Sequence, residues 1–440
     1  MKLDKIKKVY KSIGYPFTLP LRYVPFSLFC GKEYRNTYKE LIRIDTLSDK
    51  DKEDLYNRKL IDYLNESISH TKFYKDFAKS KGISNINSPT QLYEFPIIPK
   101  EQLKEDLEWF LDSRFKHHSF RVSTGGTTGS QTHLMMSNKA YSREWAFVNN
   151  YLRLRGVSEN SKRLCLRGVS GIKDDKLIGY NDIYKELLIS PFKLNPDSLS
   201  DDFIKISNFS AEWIHGYPSS VSQFADHLSI LGHNLPDIKH ILLVSEKLHS
   251  EQLASIKNVF DADILSFYGM TERVVFAPLI SDMFIPSRLY GVTEEINGEL
   301  VGTGFVNQAT RLIRYRTGDE AVVSKDINGM VSEIISIEGR WGKEFLLGNK
   351  GEKITMTALN IHSDVLCNVN RYQFEQIEEG KCILKIIPNK MLSKIEIESV
   401  RNEFQAKVGR ALYIEAKVVS HIELTSRGKH VFINNHLALS

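Results

Sequence analysis

The spacing of apolar residues along the chain changes twice, and each change marks a different kind of structure. Between Asp51 and Ser67, Leu55, Leu60, Ile61, Tyr63 and Leu64 recur at helical spacing, and residues 1–95 read as a helical leader without visible chemistry. From about Arg121 to Tyr315, short β-rich runs alternate with longer helical ones, the texture of an α/β domain. Arg163 to Leu166, Trp213 to His215, Ile241 to Val244 and Ile264 to Phe267 are each followed by Gly, Ser or Pro and then polar residues. They predict buried strands whose C-terminal ends present loops to a ligand. Past Glu338-Gly339-Arg340 come a Gly348-Asn349-Lys350-Gly351 hairpin turn, an alternating strand at Lys381 to Ile387, a helix near Ile395 to Val408 and a strand at Lys417 to Ser420. The predicted fold class is α/β, with mixed sheets and flanking helices in a large domain over 1–337 and a small α+β domain over 338–440.

Composition agrees with a folded chain: 440 residues exceed what one core usually serves, and 42% hydrophobic with 26% charged residues is ordinary globular usage. The 59 basic against 54 acidic residues leave only +5, scattered along the chain, so nucleic acid is not an expected partner. The basic cluster from Lys2 to Lys8 and Lys11 is expected to be the solvated face of a helix. Cys30, Cys165, Cys367 and Cys382 lie too far apart for a zinc site and read as reduced thiols of a cytoplasmic protein. The apolar stretch Leu19 to Phe29 is broken by Pro20, Arg22 and Pro25, which argues against a transmembrane segment. Packing on the large domain is expected for it, with peripheral membrane contact as the alternative.

Four short segments carry candidate chemistry. Ser123-Thr124-Gly125-Gly126-Thr127-Thr128-Gly129-Ser130-Gln131-Thr132 packs three glycines and six hydroxyl residues into ten positions. Glycines let backbone N–H groups approach phosphate oxygens and hydroxyls add neutral donors; a flexible linker is the competing interpretation. Ser266-Phe267-Tyr268-Gly269-Met270-Thr271-Glu272 offers an aromatic ring for a base, a hydroxyl for phosphate and a hard carboxylate for Mg²⁺. In Tyr315-Arg316-Thr317-Gly318-Asp319, Asp319 is expected just past a Thr-Gly turn at a strand end, where a carboxylate can accept from ribose hydroxyls. Thr425-Ser426-Arg427-Gly428-Lys429 supplies a lysine behind a glycine, a mobile point charge suited to a reacting phosphate. His133, His215, His249 and His362 stand alone near apolar runs and are expected to be packed or solvated rather than ligands.

In order and separation these segments resemble the acyl-adenylate-forming superfamily of acyl-CoA synthetases, firefly luciferase and nonribosomal-peptide adenylation domains. His215-Gly216-Tyr217-Pro218-Ser219-Ser220, Ser245-Glu246, Thr357-Ala358-Leu359-Asn360-Ile361-His362 and Tyr372-Gln373-Phe374 further resemble the phenylacetate-CoA ligase family, in its branch from capsular-polysaccharide loci, the CapK-type proteins. The resemblance implies an adenylate-forming large domain, a mobile small domain that closes as a lid, and ATP and Mg²⁺ as cofactors. It assigns Thr124, Gly125, Gly126, Thr127, Thr128 and Gly129 to the β- and γ-phosphates, and Thr271 and Glu272 to the α-phosphate and the metal. Tyr268 and Gly269 would lie along the adenine with Ser245 and Glu246 beside it, and Asp319 would hold the ribose. Arg340 would sit near ribose or phosphate, Lys429 would be the adenylation lysine, and Tyr217 and Pro218 would line the acid pocket.

This chain departs from the family pattern at Gly125, where a hydroxyl is usual, at Ser130-Gln131 in place of Lys-Pro, and at Gly342 in the hinge near 340–342. The implied activity is attack of a carboxylic acid on Mg-ATP to give an acyl-AMP and pyrophosphate, followed by transfer to CoA. A carrier-protein thiol or a sugar amine or hydroxyl are alternative acceptors. Two other functions stand beside it: an adenylyltransferase that leaves AMP on its product, like the synthetases that modify a deazaflavin coenzyme, and a non-catalytic nucleotide-binding member of the fold.

Overall fold

The first helices span Phe26–Ile44, Asp49–His70 and Lys72–Ser80 in a computed structural model that describes residues 17–123, 132–167, 172, 176–327, 329–338, 345–359, 361, 364–423 and 431–439. Ser48 caps the second helix by accepting from the Asp51 N–H, and Asp49 and Asp51 place negative charge against the positive end of its dipole. These helices pack into the cores of the large sheet. Leu60, Tyr63, Leu64 and Tyr74 share one core with Val275, Leu300, Ile313 and Tyr315, far along the chain. Phe26 and Tyr34 pack with Phe147 and Tyr151 of the helix Ala140–Leu154. Among the described residues, no helix is long and apolar enough to cross a membrane.

An ion network centred on the buried Arg311–Asp112 pair clamps the second helix to the chain entering the candidate site. Arg311, fully buried, donates from Nε to Asp112 Oδ2 at 3.0 Å and from Nη2 to Glu66 Oε2 at 2.6 Å. Arg114 reaches the same two carboxylates at 2.8 and 3.1 Å. The Tyr63 and Tyr74 hydroxyls accept from the Leu312 and Ile313 N–H groups at 3.1 and 2.9 Å. Tyr315 therefore leaves a segment held from both sides.

Strands β1 (Ser119–Ser123) and β2 (His133–Ser137) form an antiparallel ribbon. Next come β3 (Arg163–Leu166), β4 (Ile178–Asn181), β5 (Glu186–Ile189), β6 (Trp213–Gly216), β7 (His240–Leu243) and β8 (Asp263–Gly269). Of these, β5, β3, β6, β7 and β8 run parallel in that spatial order, with β4 antiparallel at the rim. The four runs expected as buried strands are β3, β6, β7 and β8, with ends moved by one or two residues. Past β8 the sheet continues antiparallel through β9 (Phe276–Ile280), β10 (Met283–Phe284), β14 (Val331–Glu338), β13 (Tyr315–Lys325), β12 (Glu299–Gly304) and β11 (Gly291–Ile296), completing 12 strands among the described residues.

The C-terminal part has its own sheet and core. The hairpin β15 (Phe345–Leu347) and β16 (Lys353–Thr355) turns at the expected glycines. Beyond it, β17 (Val369–Glu378), β18 (Lys381–Pro388), β19 (Tyr413–Val418) and β20 (Ile433–Asn435) assemble in the order β19-β18-β17-β20. The helix Lys394–Val408, started by a Ser393/Glu396 capping box, packs Phe404 on Phe374 and joins β18 to the parallel β19. The strand expected at Lys417 to Ser420 lies earlier, because parallel pairing of Lys381 with Tyr413 through Ile386 with Val418 sets its register.

Candidate functional site

Because β3, β6, β7 and β8 are parallel, their C-terminal ends open on one edge of the sheet, where α/β folds bind ligands. That edge presents Arg167, Gly216-Tyr217, Ser245-Glu246 and Gly269 to Glu272 in succession. Ser245 has a positive φ of 69° and is exposed just past β7, and Arg273 has a φ of 61°. Side-chain-bearing residues rarely hold this conformation, so both mark backbone positioned by its surroundings.

Glu272 is 5% exposed, and the Tyr315 hydroxyl donates to its Oε1 at 3.2 Å. The loop that carries it is held by glycines of β11 and β12. A Cβ on Gly304 would overlap the Arg273 carbonyl, one on Gly291 would lie 2.8 Å from the Val274 carbonyl, and one on Gly302 would lie 2.8 Å from the Val274 Cβ. Gly304→Ala should therefore displace Thr271 and Glu272 and destabilise the fold by about 1–3 kcal/mol, the usual cost of overpacking. Urea denaturation checks the stability, and any pyrophosphate-release activity should fall further than the stability loss explains.

Tyr268 is the penultimate residue of β8, and its hydroxyl donates to Asp319 Oδ2 at 2.8 Å. Burial first, then the Asp319 charge, raises the phenol well above its ordinary value, so it remains a donor. Asp319 does not follow a turn at a strand end as expected. It lies inside β13, where Gly318, with φ of 77°, makes a bulge opposite Glu299 and Val301. The bulge turns the Gly318 N–H onto Glu299 Oε1 at 2.8 Å and aims Asp319 at Tyr268.

Glu246 is held at both oxygens. Oε2 accepts from the Ser219 N–H at 3.1 Å, capping the helix Pro218–Ile230, whose N-cap Tyr217 provides no side-chain acceptor. Oε1 accepts from the Thr355 hydroxyl of β16 at 2.7 Å. Ser123 likewise donates to the Ile361 carbonyl at 3.2 Å. Tyr217 is partly buried, and its phenol is pushed up to about 12 by burial, against the opposing Arg167 charge. Pro218 opens the helix at a position where a missing N–H costs nothing.

The structure thus brings Tyr268 to Asp319, and Glu272 to Tyr315, across 51 and 43 residues of chain. Thr124, Gly125, Gly126, Thr127, Thr128 and Gly129, Arg340, Gly342, His362 and Lys429 lie outside the described residues. The pairing of Ser123 with His133 brings the two ends of the Gly/Thr segment together. No sequence signal pointed to Thr355 or to the glycines of β11 and β12 as parts of the site. His215 is buried between Trp145 and Trp213; burial, then the charges of Arg167 and Arg163, lowers its pKa well below the ordinary value. The described residues include no group of three or more His, Cys, Asp or Glu arranged for a metal. Glu272 remains as a single hard carboxylate, enough for a cation carried by phosphates.

No protein-family model matches the sequence. The chain is 22% identical over 430 residues to Protein CapK of Staphylococcus aureus, covering 93% of this chain and 95% of that one. Its structure is similar to 2-hydroxyisobutyryl-CoA ligase solved with 2-HIB-AMP and CoA in the thioesterification state. The TM-score is 0.52 at 15% identity, over 90% of this chain and 92% of that one. A mixed sheet with a parallel half, its flanking helices and a small α+β unit at the C-terminus make this an adenylate-forming ligase fold.

Proposed function

We propose that this protein activates a carboxylic acid with ATP, releasing pyrophosphate and holding the acyl-AMP for transfer to CoA or another acceptor. The observation that carries the proposal is the convergence of two distant motifs: Tyr268 on Asp319 at 2.8 Å and Tyr315 on Glu272 at 3.2 Å, at the ligand edge of the sheet. A ring, a ribose-type acceptor and a metal-type carboxylate together match the parts of a nucleotide.

In this mechanism Asp319 accepts from the ribose while Tyr268 and Ser245-Glu246 border the adenine, and the 124–129 segment donates to the outer phosphates. A carboxylate oxygen of the acid attacks the α-phosphorus in line; the new P–O bond forms as the bond to the pyrophosphate oxygen breaks. Glu272 would hold Mg²⁺, which when bound supplies charge neutralisation at the phosphates. Lys429 and Arg340 would add positive charge, and Thr271 a hydroxyl donor to the α-phosphate. Swinging the small domain about 340–342 would require breaking the Glu246–Thr355 and Ser123–Ile361 hydrogen bonds, which serve as its latch.

The test is pyrophosphate release from Mg-ATP against a panel of aryl, acyl, hydroxy and amino acids. Acid-dependent release, trapped by hydroxylamine as the hydroxamate, is the expected result. ATP binding with no stimulation by any acid would overturn it, and AMP found attached to the product would replace it with adenylyl transfer.

A further inference from the structure

Next to Tyr217, on the side of the sheet away from β7 and β8, a second set of charged residues has no part in the mechanism above. Arg167 follows β3 directly, and the Tyr217 N–H donates to the Leu166 carbonyl at 3.1 Å, so Arg167 and Tyr217 leave neighbouring strands side by side. Glu186, whose charge acts on Arg167, is already used: Arg163 donates to its Oε1 from Nε at 2.8 Å and from Nη2 at 2.5 Å, and Asn181 donates to Oε2 at 3.2 Å. Arg163 is further enclosed by the rings of Trp145, Tyr184 and Trp213, at 5.0, 5.6 and 4.9 Å. The Nε of Arg167 is buried and makes no hydrogen bond. Two guanidinium groups thus face one carboxylate, and His215 beside them is held neutral. Glu186 and Cys165 act on the Arg167 charge, but its buried Nε–H still lacks an acceptor; an unmade hydrogen bond there is costly, and an anion would supply it.

We infer that Arg167 binds a second anionic group on the acid, so that the substrate is a dianion with a carboxylate or phosphate at the end away from the activated carboxyl. The inference rests on the adenylation proposal and specifies its substrate. Geometry fits this orientation: Arg167 lies two strands beyond Glu246, and at about 4.8 Å per strand that is roughly 10 Å along the edge, the reach of a short chain or one ring.

The test compares acids matched in skeleton, butyrate with succinate, hexanoate with adipate, and phenylacetate with 1,4-phenylenediacetate. Pyrophosphate release is measured for wild type, Arg167→Leu and Arg167→Lys, and calorimetric titration of each acid in the presence of a non-hydrolysable ATP analogue reads binding without turnover. Wild type should prefer the dianion by about 10⁴-fold in kcat/KM, the discrimination expected when a buried polar group would otherwise stay unpaired. Arg167→Leu should abolish that preference while leaving the KM for ATP unchanged, and Arg167→Lys should restore part of it. Because Glu186 keeps Arg163, Arg167→Leu should melt no lower than wild type, which separates recognition from a folding role. Equal use of both members of each pair, or an equal loss for both in Arg167→Leu, overturns the inference and leaves the adenylation proposal standing. If no acid releases pyrophosphate, the adenylation proposal fails and the titrations decide: dianions that bind wild type but not Arg167→Leu support the anion site, and no binding to either removes it.

Discussion

Glu272→Gln lowers acid-dependent pyrophosphate release by about 10²–10³-fold, the range seen when one preorganised electrostatic contact to a developing charge is removed. Gln keeps the shape and an oxygen that can accept from Tyr315, which now donates at 3.2 Å, so the buried loop stays in place. What is lost is the charge. The chain should therefore unfold at the same urea concentration as wild type, and its dependence on Mg²⁺ should shift to higher metal. Unchanged release at limiting Mg²⁺ would exclude Glu272 as the metal ligand. Lys429→Ala provides the companion result: a similar loss in acyl-AMP formation, with transfer from supplied acyl-AMP to the acceptor unaffected, because that lysine is assigned to the first half-reaction alone.

Arg311→Met destabilises the fold by about 3–5 kcal/mol, the usual cost of leaving one partner of a buried ion pair behind. Asp112 is fully buried and would keep only Arg114, while the side chain of Glu66, 43% exposed, can turn to water. Burial opposes ionisation of Asp112, but hydrogen bonds from the Arg114 side chain and backbone, and the Arg311 charge, outweigh it and hold the carboxyl below its ordinary value. A carboxyl lowered in the folded state contributes stability that is fully present above its unfolded pKa, about 3.9, and is lost as pH falls through the folded pKa. The gap between wild type and Arg311→Met in urea midpoint should thus persist from neutral pH to about pH 4 and narrow below it. A gap that is absent at pH 7 would remove the network from the stability account. The consequence reaches the site, because this network and the Tyr63 and Tyr74 hydroxyls fix the segment that leads into Tyr315 and Asp319.

The parallel strands were legible because a strand buried on both faces must be apolar throughout, as Arg163 to Leu166 and Ile241 to Val244 nearly are. The candidate site could be proposed from motifs because its residue types are rare in such combinations. The surroundings of those motifs were hidden. Asp319 followed Thr-Gly, which reads as a turn locally, yet the partner strand β12 converts it to a bulge through Glu299. Thr355 and Glu246 are separated by 109 residues and meet only when β16 docks on the helix Pro218–Ile230.

Sequence alone determined the α/β class, the parallel strands β3, β6, β7 and β8 and the residue types proposed to handle a nucleotide, since these depend on local periodicity and on side-chain chemistry. Tertiary structure decided which of those residues meet, why glycine stands at 291, 302 and 304, and that the buried Nε of Arg167 has no hydrogen-bond partner. Such facts concern distances between segments far apart in the chain, and no local pattern of residues encodes a distance.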